Sequence, residues 1–229
     1  MLNKILSLIF PSKCVNCGKI VKSGFLCYDC KSEYEKEISD GCLSCGNPHD
    51  RCSCDSAYLE HEKMLHVIPY RSEGPSREML LTLKSTRHKE IIDHLTDKMV
   101  SAIKTNRLEY DMITYVPRSP TKIRIEGVDQ AKILAFALSE KTKIEAQTLF
   151  ICRGGMKEQK ELEYSGRDVF ARERFSLIMG AEERVNGKRI FLVDDIITSG
   201  ATAKVCSELL YEAGALDVTC LSAGRSVKY

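Results

Sequence analysis

The sequence has no long apolar run. No stretch approaches the ~20 apolar residues that a membrane-crossing helix needs. Its first residues, M-L-N-K-I-L-S-L-I-F-P, hold a short apolar run from Ile5 to Phe10 with Ser7 inside it. That run is too short to span a bilayer, and no small-residue cleavage site follows, so it is not read as a signal peptide. It reads instead as a segment that docks on the body of the protein, or else on a partner, the body being the preferred reading. Without an export signal the compartment reads as cytoplasmic and reducing, so the eleven cysteines are not read as disulfides. An excess of either charge is also missing: 34 basic and 32 acidic residues give a net charge of +2. This balance excludes a global electrostatic case for nucleic-acid binding and leaves only local patches. There is no tryptophan, and aromatics make up 7% of the chain. Few stacking platforms for single-stranded DNA follow from that.

What the chain does contain divides it in two. Its 229 residues suggest one domain of ordinary size plus something small. A hydrophobic content of 43% and a charged content of 29% fit a soluble globular protein. Eight of the eleven cysteines lie between residues 14 and 54, in four close pairs. Cys14 and Cys17 form a C-x-x-C, as do Cys27 and Cys30, and Cys42 and Cys45; Cys52 and Cys54 form a C-x-C. Paired knuckles of this kind present thiolates to tetrahedral zinc. The simplest assignment is two ions, one on Cys14, Cys17, Cys27 and Cys30 and one on Cys42, Cys45, Cys52 and Cys54. The first is the safer, because C-x-C is tighter than a usual knuckle and His49 lies close enough to compete. His49 itself reads better as a solvated loop residue. Closed four-Cys sites are structural, so the zinc, one ion or two, supplies folding energy rather than catalysis. Gly18 and Gly46 each follow the second Cys of a knuckle, where the turn needs a residue without a Cβ. Ser32 to Ile38 reads as a short charged helix. The polar stretch from Asp55 to Lys63 places a boundary near residue 60, giving a cysteine-rich module over 1–60 and a second domain over 61–229.

The second domain alternates strand and helix patterns. Strands are predicted over Leu65–Tyr70, Met112–Val116, Thr148–Cys152, Lys188–Val193 and Val218–Ala223. Helices are predicted over Ser76–Lys84, His88–Thr105, Val128–Lys141 and Thr202–Ala213. His94 reads as a packed or solvated helix residue. Cys206 and Cys220 sit on apolar runs and read as buried thiols without chemistry. The alternation predicts an α/β fold with a largely parallel sheet and helices on both faces. In such sheets ligands bind beyond the C-terminal ends of strands. Pro117, Arg153 and Asp194 all follow such ends. Between Pro117 and Gly127 the chain reads as a basic loop with Arg118, Lys122 and Arg124. From Arg153 to Arg174 it reads as a polar, glycine-containing flap.

The most informative stretch is I-F-L-V-D-D-I-I-T-S-G-A-T, from Ile190 to Thr202. Four apolar residues read as a buried strand. Asp194 and Asp195 follow, then Thr198, Ser199, Gly200, Ala201 and Thr202 lead into a helix. Carboxylates accept hydrogen bonds from ribose hydroxyls, and loop N–H groups at a helix N-terminus receive a phosphate. The block resembles the signature of phosphoribosyltransferases, the enzymes that use phosphoribosyl pyrophosphate (PRPP).

A cysteine-rich zinc module followed by such a domain resembles the ComF family, the competence-associated phosphoribosyltransferase-like proteins, over essentially the whole chain. The family's V-P segment and basic loop match Val116-Pro117 followed by Arg118, Lys122 and Arg124. Its flap pattern matches Arg153, Gln159, Leu162, Arg167 and Phe175, and its Leu-Lys matches Leu83-Lys84. The chain departs from the family where Glu126 replaces Arg, Val128 and Asp129 replace Phe and Asn, and Phe170 replaces Asn. The resemblance implies a phosphoribosyltransferase-type domain that binds PRPP with Mg²⁺. Asp194 and Asp195 would hold the ribose hydroxyls and stabilise an oxocarbenium ion. Thr198 to Thr202 would hold the 5′-phosphate, and Pro117, Arg118, Lys122, Arg124, Arg153 and Arg167 would surround the pyrophosphate. It also implies a place in DNA uptake during natural transformation, with single-stranded DNA and competence-machinery proteins as partners, peripheral to the membrane through them. A phosphoribosyl transfer and a non-catalytic nucleotide-sensing or single-stranded-DNA-binding adaptor both remain open. Replacing Arg by Glu126 puts a carboxylate where pyrophosphate would be gripped.

Overall fold

The computed structural model describes residues 12–40, 49–52, 63–70, 73–85, 88–153 and 172–226. The Ile5–Phe10 run, Cys42, Cys45, Gly46, Cys54, the boundary near residue 60, and Gln159, Leu162, Arg167 and Phe170 lie outside the described residues. In chain order the elements are α1 (Tyr28–Asp40), β1 (Met64–Tyr70), α2 (Pro75–Ser85), α3 (Lys89–Thr105), β2 (Met112–Tyr115), α4 (Pro120–Glu126) and α5 (Gln130–Thr142). They continue with β3 (Phe150–Cys152), β4 (Phe175–Leu177), α6 (Ala181–Val185), β5 (Arg189–Ile197), α7 (Ala201–Glu212) and β6 (Asp217–Ser226).

The main sheet has the order β1-β6-β5-β2, and all three pairings are parallel. Its central strand shows why both faces must be covered. Successive side chains of a strand point to opposite faces. Phe191 and Val193 enter one core, with Leu80 of α2, Leu95 and Met99 of α3 and Leu134 of α5. Ile190 and Leu192 enter another, with Val205, Cys206 and Leu210 of α7 and Val185 of α6. Unbroken apolar strands sandwiched between helix layers are the expected α/β arrangement. Cys206 and Cys220 are buried, as their apolar surroundings predicted.

Four features differ from the sequence expectation. First, β5 runs through the acidic pair to Ile197, with Asp194 opposite Ser222 and Ile196 opposite Gly224. Charge had marked Asp194 as the strand's end, but β6 continues alongside and keeps the ladder paired. Second, β3 does not join the main sheet; it pairs antiparallel with β4 in a separate two-stranded ribbon. Third, the basic loop contains a helix. Ser119 caps α4, accepting from the Lys122 N–H, Pro120 opens it, and Gly127 closes it at φ 74°. None of its residues is buried, so apolar periodicity could not reveal it. Fourth, the charged helix α1 is longer than expected and is not simply solvated. Its Tyr34 and Glu37 are buried against the α/β domain. The Glu37 carboxylate accepts from the Ser76 N–H (3.0 Å) and hydroxyl at the start of α2.

Candidate functional site

The first cysteine cluster forms as the spacing predicted. The Sγ atoms of Cys14, Cys17, Cys27 and Cys30 lie within 4.8 Å of one another. Tetrahedral thiolates at the usual Zn–S length stand about 3.8 Å apart, and Cys17 and Cys27 Sγ are separated by 3.6 Å. The knuckle closes with the Gly18 N–H donating to the Cys14 carbonyl (2.9 Å), and Gly18 takes φ 74°, as a residue without a Cβ can. Asn16 Nδ2 donates to Cys30 Sγ at 3.3 Å, but burial outweighs this bond and pushes the Cys30 thiol up to about 12. Burial pushes the Cys14 thiol up, but N–H groups of Cys17, Cys27 and Asn16 outweigh it and hold the thiol at about 6. Only Cys14, Val21 and Cys30 are buried in the local core of the described module. That core is too small to fold a module alone, so the four cysteines make a structural zinc ribbon. Cys52 is partly buried, and its partners in the second predicted set lie outside the described residues.

The second site lies at the C-terminal end of the parallel sheet. A cleft of about 230 Å³ is lined by Pro117 and Arg118 after β2, Lys122 of α4, Asp194 and Asp195 of β5, and Thr202 of α7. An adjoining cavity of about 50 Å³ is lined by Thr198 to Thr202 and shares Asp194 with the cleft. Thus the loop, the acidic pair and the residues after β2 converge, as their places in the sequence predicted. Arg124 and Arg153 line neither cavity. Arg124 is exposed on the outer face of α4, and the Arg153 side chain is exposed while its N–H donates to the Arg174 carbonyl (2.8 Å). Sequence reasoning missed Arg174 and Cys152, which do line the cleft. Cys152 ends β3, and Arg174 immediately precedes β4, so only the ribbon pairing brings them there. Asp129 also lines the cleft. Its side chain caps α5 by accepting from the Lys132 N–H (3.2 Å), a role that an Asp before a helical run announces.

The loop has the conformation an anion site needs. Gly200 precedes α7 at φ 78°, in the left-handed region, and offers no side chain as a cap, so the Ala201 N–H donates only a long bond to Ser199 Oγ. The first N–H groups of a helix lack intrahelical partners, and the dipole there favours negative charge. Ser199 Oγ lies 3.4 Å from the Ala201 N–H, leaving the hydroxyls of Thr198, Ser199 and Thr202 around the small cavity.

The acidic pair is asymmetric. Burial, and then the neighbouring Asp195 charge, push the Asp194 carboxyl well above the usual carboxylate range. Asp195 instead has a cation: Arg118 Nη2 lies 3.0 Å from its Oδ2, and both side chains are 16% exposed. The other terminal nitrogen of Arg118 contacts the Glu126 carboxylate. One guanidinium therefore bridges the acidic pair and the end of α4.

Residues 5–61 match the model of the double zinc ribbon domain. The competence protein ComFC of Streptococcus pneumoniae (strain ATCC BAA-255 / R6) is 26% identical over 232 residues, spanning 93% of this chain and 100% of that protein. Among solved structures, that of the allosteric regulatory enzyme of purine biosynthesis aligns with 64% of this chain at 20% identity and a TM-score of 0.44. The glutamine PRPP amidotransferase of B. subtilis, complexed with ADP and GMP, aligns with 62% at 19% identity and a TM-score of 0.43. The chain spans 30% of the length of each of these two. A hypothetical protein from Neisseria gonorrhoeae with bound ppGpp aligns with 61% of this chain and 70% of its own at 16% identity and a TM-score of 0.42. Among the described residues no helix is long and apolar enough to cross a membrane. The double zinc ribbon, the parallel α/β domain behind it and the end-to-end match with ComFC together fit a protein of ComFC type.

Proposed function

We propose that this chain is a ComF-family, phosphoribosyltransferase-like protein that binds PRPP or a related ribose 5-phosphate with Mg²⁺ and acts in DNA uptake during natural transformation. The observation that carries the reading is the convergence of Asp194, Asp195 and the Thr198–Thr202 loop with Arg118 and Lys122 around one cleft. In this reading the loop N–H groups and hydroxyls hold the 5′-phosphate, and the carboxyl groups hold the ribose hydroxyls. Arg118, Lys122 and Arg174 face the diphosphate end. Adjacent carboxyl groups are hard oxygen donors suited to Mg²⁺, and the high proton affinity of Asp194 marks a place where a cation would relieve charge. Asp194 and Asp195 would hold the ion on the ribose side, where it supplies charge neutralisation. The protein's own contribution to transfer is positioning and electrostatic stabilisation, with no nucleophile required. The module over 1–60 would carry two structural zinc ions and the domain over 61–229 the cleft. The protein would work in the cytoplasm, peripheral to the membrane through competence-machinery partners.

A second reading is a non-catalytic adaptor that senses a nucleotide or holds single-stranded DNA. The ion pair of Arg118 with Glu126 favours it, because a group expected to meet pyrophosphate is already engaged. Calorimetry with PRPP and Mg²⁺ tests the binding both readings share: wild type binds, and the Asp194→Ala/Asp195→Ala variant binds far more weakly. Equal binding by the two proteins sinks the site assignment. Production of pyrophosphate with an acceptor base separates transferase from adaptor. Anisotropy with labelled single-stranded DNA tests the adaptor, whose affinity must fall steeply with salt.

A further inference from the structure

We propose that Glu126 sets the ligand class of the cleft: it holds Arg118 away from a diphosphate, so the site takes a ribose 5-monophosphate in preference to PRPP. The inference rests on the reading of the cleft as a ribose 5-phosphate site. Three observations support it. The first is geometric. Both terminal nitrogens of Arg118 are committed, one to Asp195 at 3.0 Å and the other to Glu126. The guanidinium keeps further N–H donors, but two carboxylates already offset its charge and fix its direction, so a diphosphate gains less from it. Glu126 lines neither cavity and acts through its contact with Arg118, which draws one side of the guanidinium toward the end of α4.

The second is the placement of Glu126. It sits in the last turn of α4, just before the left-handed Gly127. A helix C-terminus disfavours a carboxylate, and α4 buries none of its side chains. Glu forms helix readily, but neither the dipole nor core packing favours a carboxylate at this end, whereas the Arg118 contact does. The third is the charge of the cleft. Its cations are Arg118, Lys122 and Arg174, and its lining carboxyl groups Asp129, Asp194 and Asp195 equal them before Glu126 is added. At the other end the 5′-phosphate would meet the amides and hydroxyls from Thr198 to Thr202; Asp194 borders both ends and does not discriminate between them, whereas Glu126 does not line the small cavity. One phosphate is served and a second group of phosphates is opposed.

The test is calorimetry on the full-length, zinc-loaded chain, with ribose 5-phosphate and with PRPP, each with Mg²⁺. Wild type is expected to bind PRPP no more tightly than ribose 5-phosphate. Glu126→Gln, nearly isosteric and in a partly exposed position, is expected to tighten PRPP by about tenfold or more, the effect of one charge-assisted bond. Ribose 5-phosphate should change by less than about threefold, since its phosphate lies at the other end of the cleft. Adding Arg118→Ala to Glu126→Gln should abolish the PRPP gain, because the effect runs through that guanidinium. A wild-type preference for PRPP, a smaller gain in Glu126→Gln, or a gain that survives loss of Arg118 overturns the inference and leaves the site assignment standing. Binding of neither sugar phosphate overturns both.

Discussion

Tyr34 and His94 share a hydrogen bond of 2.7 Å between the phenol oxygen and Nε2. Tyr34 belongs to α1, two turns beyond the zinc-site cysteine Cys27, and His94 belongs to α3 of the α/β domain. Phe25, in the same ribbon, packs its ring 5.3 Å from that of His94. The ribbon and the helix that follows it therefore dock on the α/β domain through a defined polar and aromatic contact. The ribbon is joined to the domain it precedes by packing as well as by chain.

That contact should make the docked fold acid-sensitive. Burial first, and then the Lys98 charge, lower His94 from 6.5 to about 4. A depressed histidine pKa means the folded state binds fewer protons than the unfolded one between those values. Stability is thus fully present above pH 6.5 and is lost as pH falls toward 4. The linkage limit is about 3 kcal/mol, and partial solvent contact leaves roughly 2 kcal/mol. Urea unfolding of wild type against His94→Gln, each followed from pH 7 to pH 4.5, isolates this slope from acid loss of zinc, which both share. Parallel pH profiles would exclude His94 as the source.

The Glu37 contact predicts a second docking defect. Its carboxylate receives the Ser76 N–H and hydroxyl in a buried position. Glu37→Ala leaves that N–H unsatisfied, at a cost of about 1–3 kcal/mol. Gly74 lies against the same carboxylate at φ 100°, and a Cβ there would collide with Glu37 Oε1. Gly74→Ala should therefore destabilise by about 2 kcal/mol through strain and displacement together. Denaturant midpoints measure both. A neutral Gly74→Ala would show that α1 is not held where the structure places it.

Much of the α/β core was legible because its elements bury one face or one run. Leu95 and Met99 recur at helical spacing on α3, and Ile190 to Val193 form an unbroken apolar strand. The acidic pair and loop were legible for a different reason: few roles explain two carboxylates followed by T-S-G-A-T. What escaped was carried by capping, pairing or charge. Helix α4 depends on Ser119, Pro120 and Gly127, not on apolar periodicity. Strand β4 has three residues and exists only as the partner of β3. The carboxylate of Glu126 was visible as a departure, but its bond to Arg118, eight residues earlier, needed the turn of α4 to bring the two together.

The cysteine pairs predict one zinc ion or two per chain, two in the simplest assignment, and residues 5–61 match the double zinc ribbon domain. Metal analysis of protein purified without added zinc should give about two equivalents. Cys14→Ser should give about one, because three remaining ligands do not close a structural site. Removal of both ions by a chelator should unfold the module, whose described core has only Cys14, Val21 and Cys30 buried. Most of the circular dichroism of the α/β domain should persist, since its cores are formed mainly by its own helices and strands, with Tyr34 of α1 the buried residue that the module adds. A single equivalent in wild type would remove the second site from the assignment.

Gly200 offers the sharpest separation of site geometry from site charge. Its φ of 78° lies where an L side chain costs about 1–2 kcal/mol. An added Cβ would stand 3.4 Å from Met64 Cε, an ordinary contact, so the cost lies in the backbone conformation. Gly200→Ala removes no charge and no hydrogen-bonding group. If the amides between Thr198 and Thr202 hold a phosphate, relaxing that strain must tilt them. Ribose 5-phosphate affinity should then fall by about tenfold or more while stability falls by about 1–2 kcal/mol. Asp195→Asn alters the ribose side at a residue that lines the cleft but not the small cavity, so the two variants should weaken binding by largely additive amounts. Calorimetry on the two single variants and the double variant measures this. Unchanged affinity in Gly200→Ala, with the stability loss present, would show that the loop is a structural turn and that the anion binds elsewhere in the cleft.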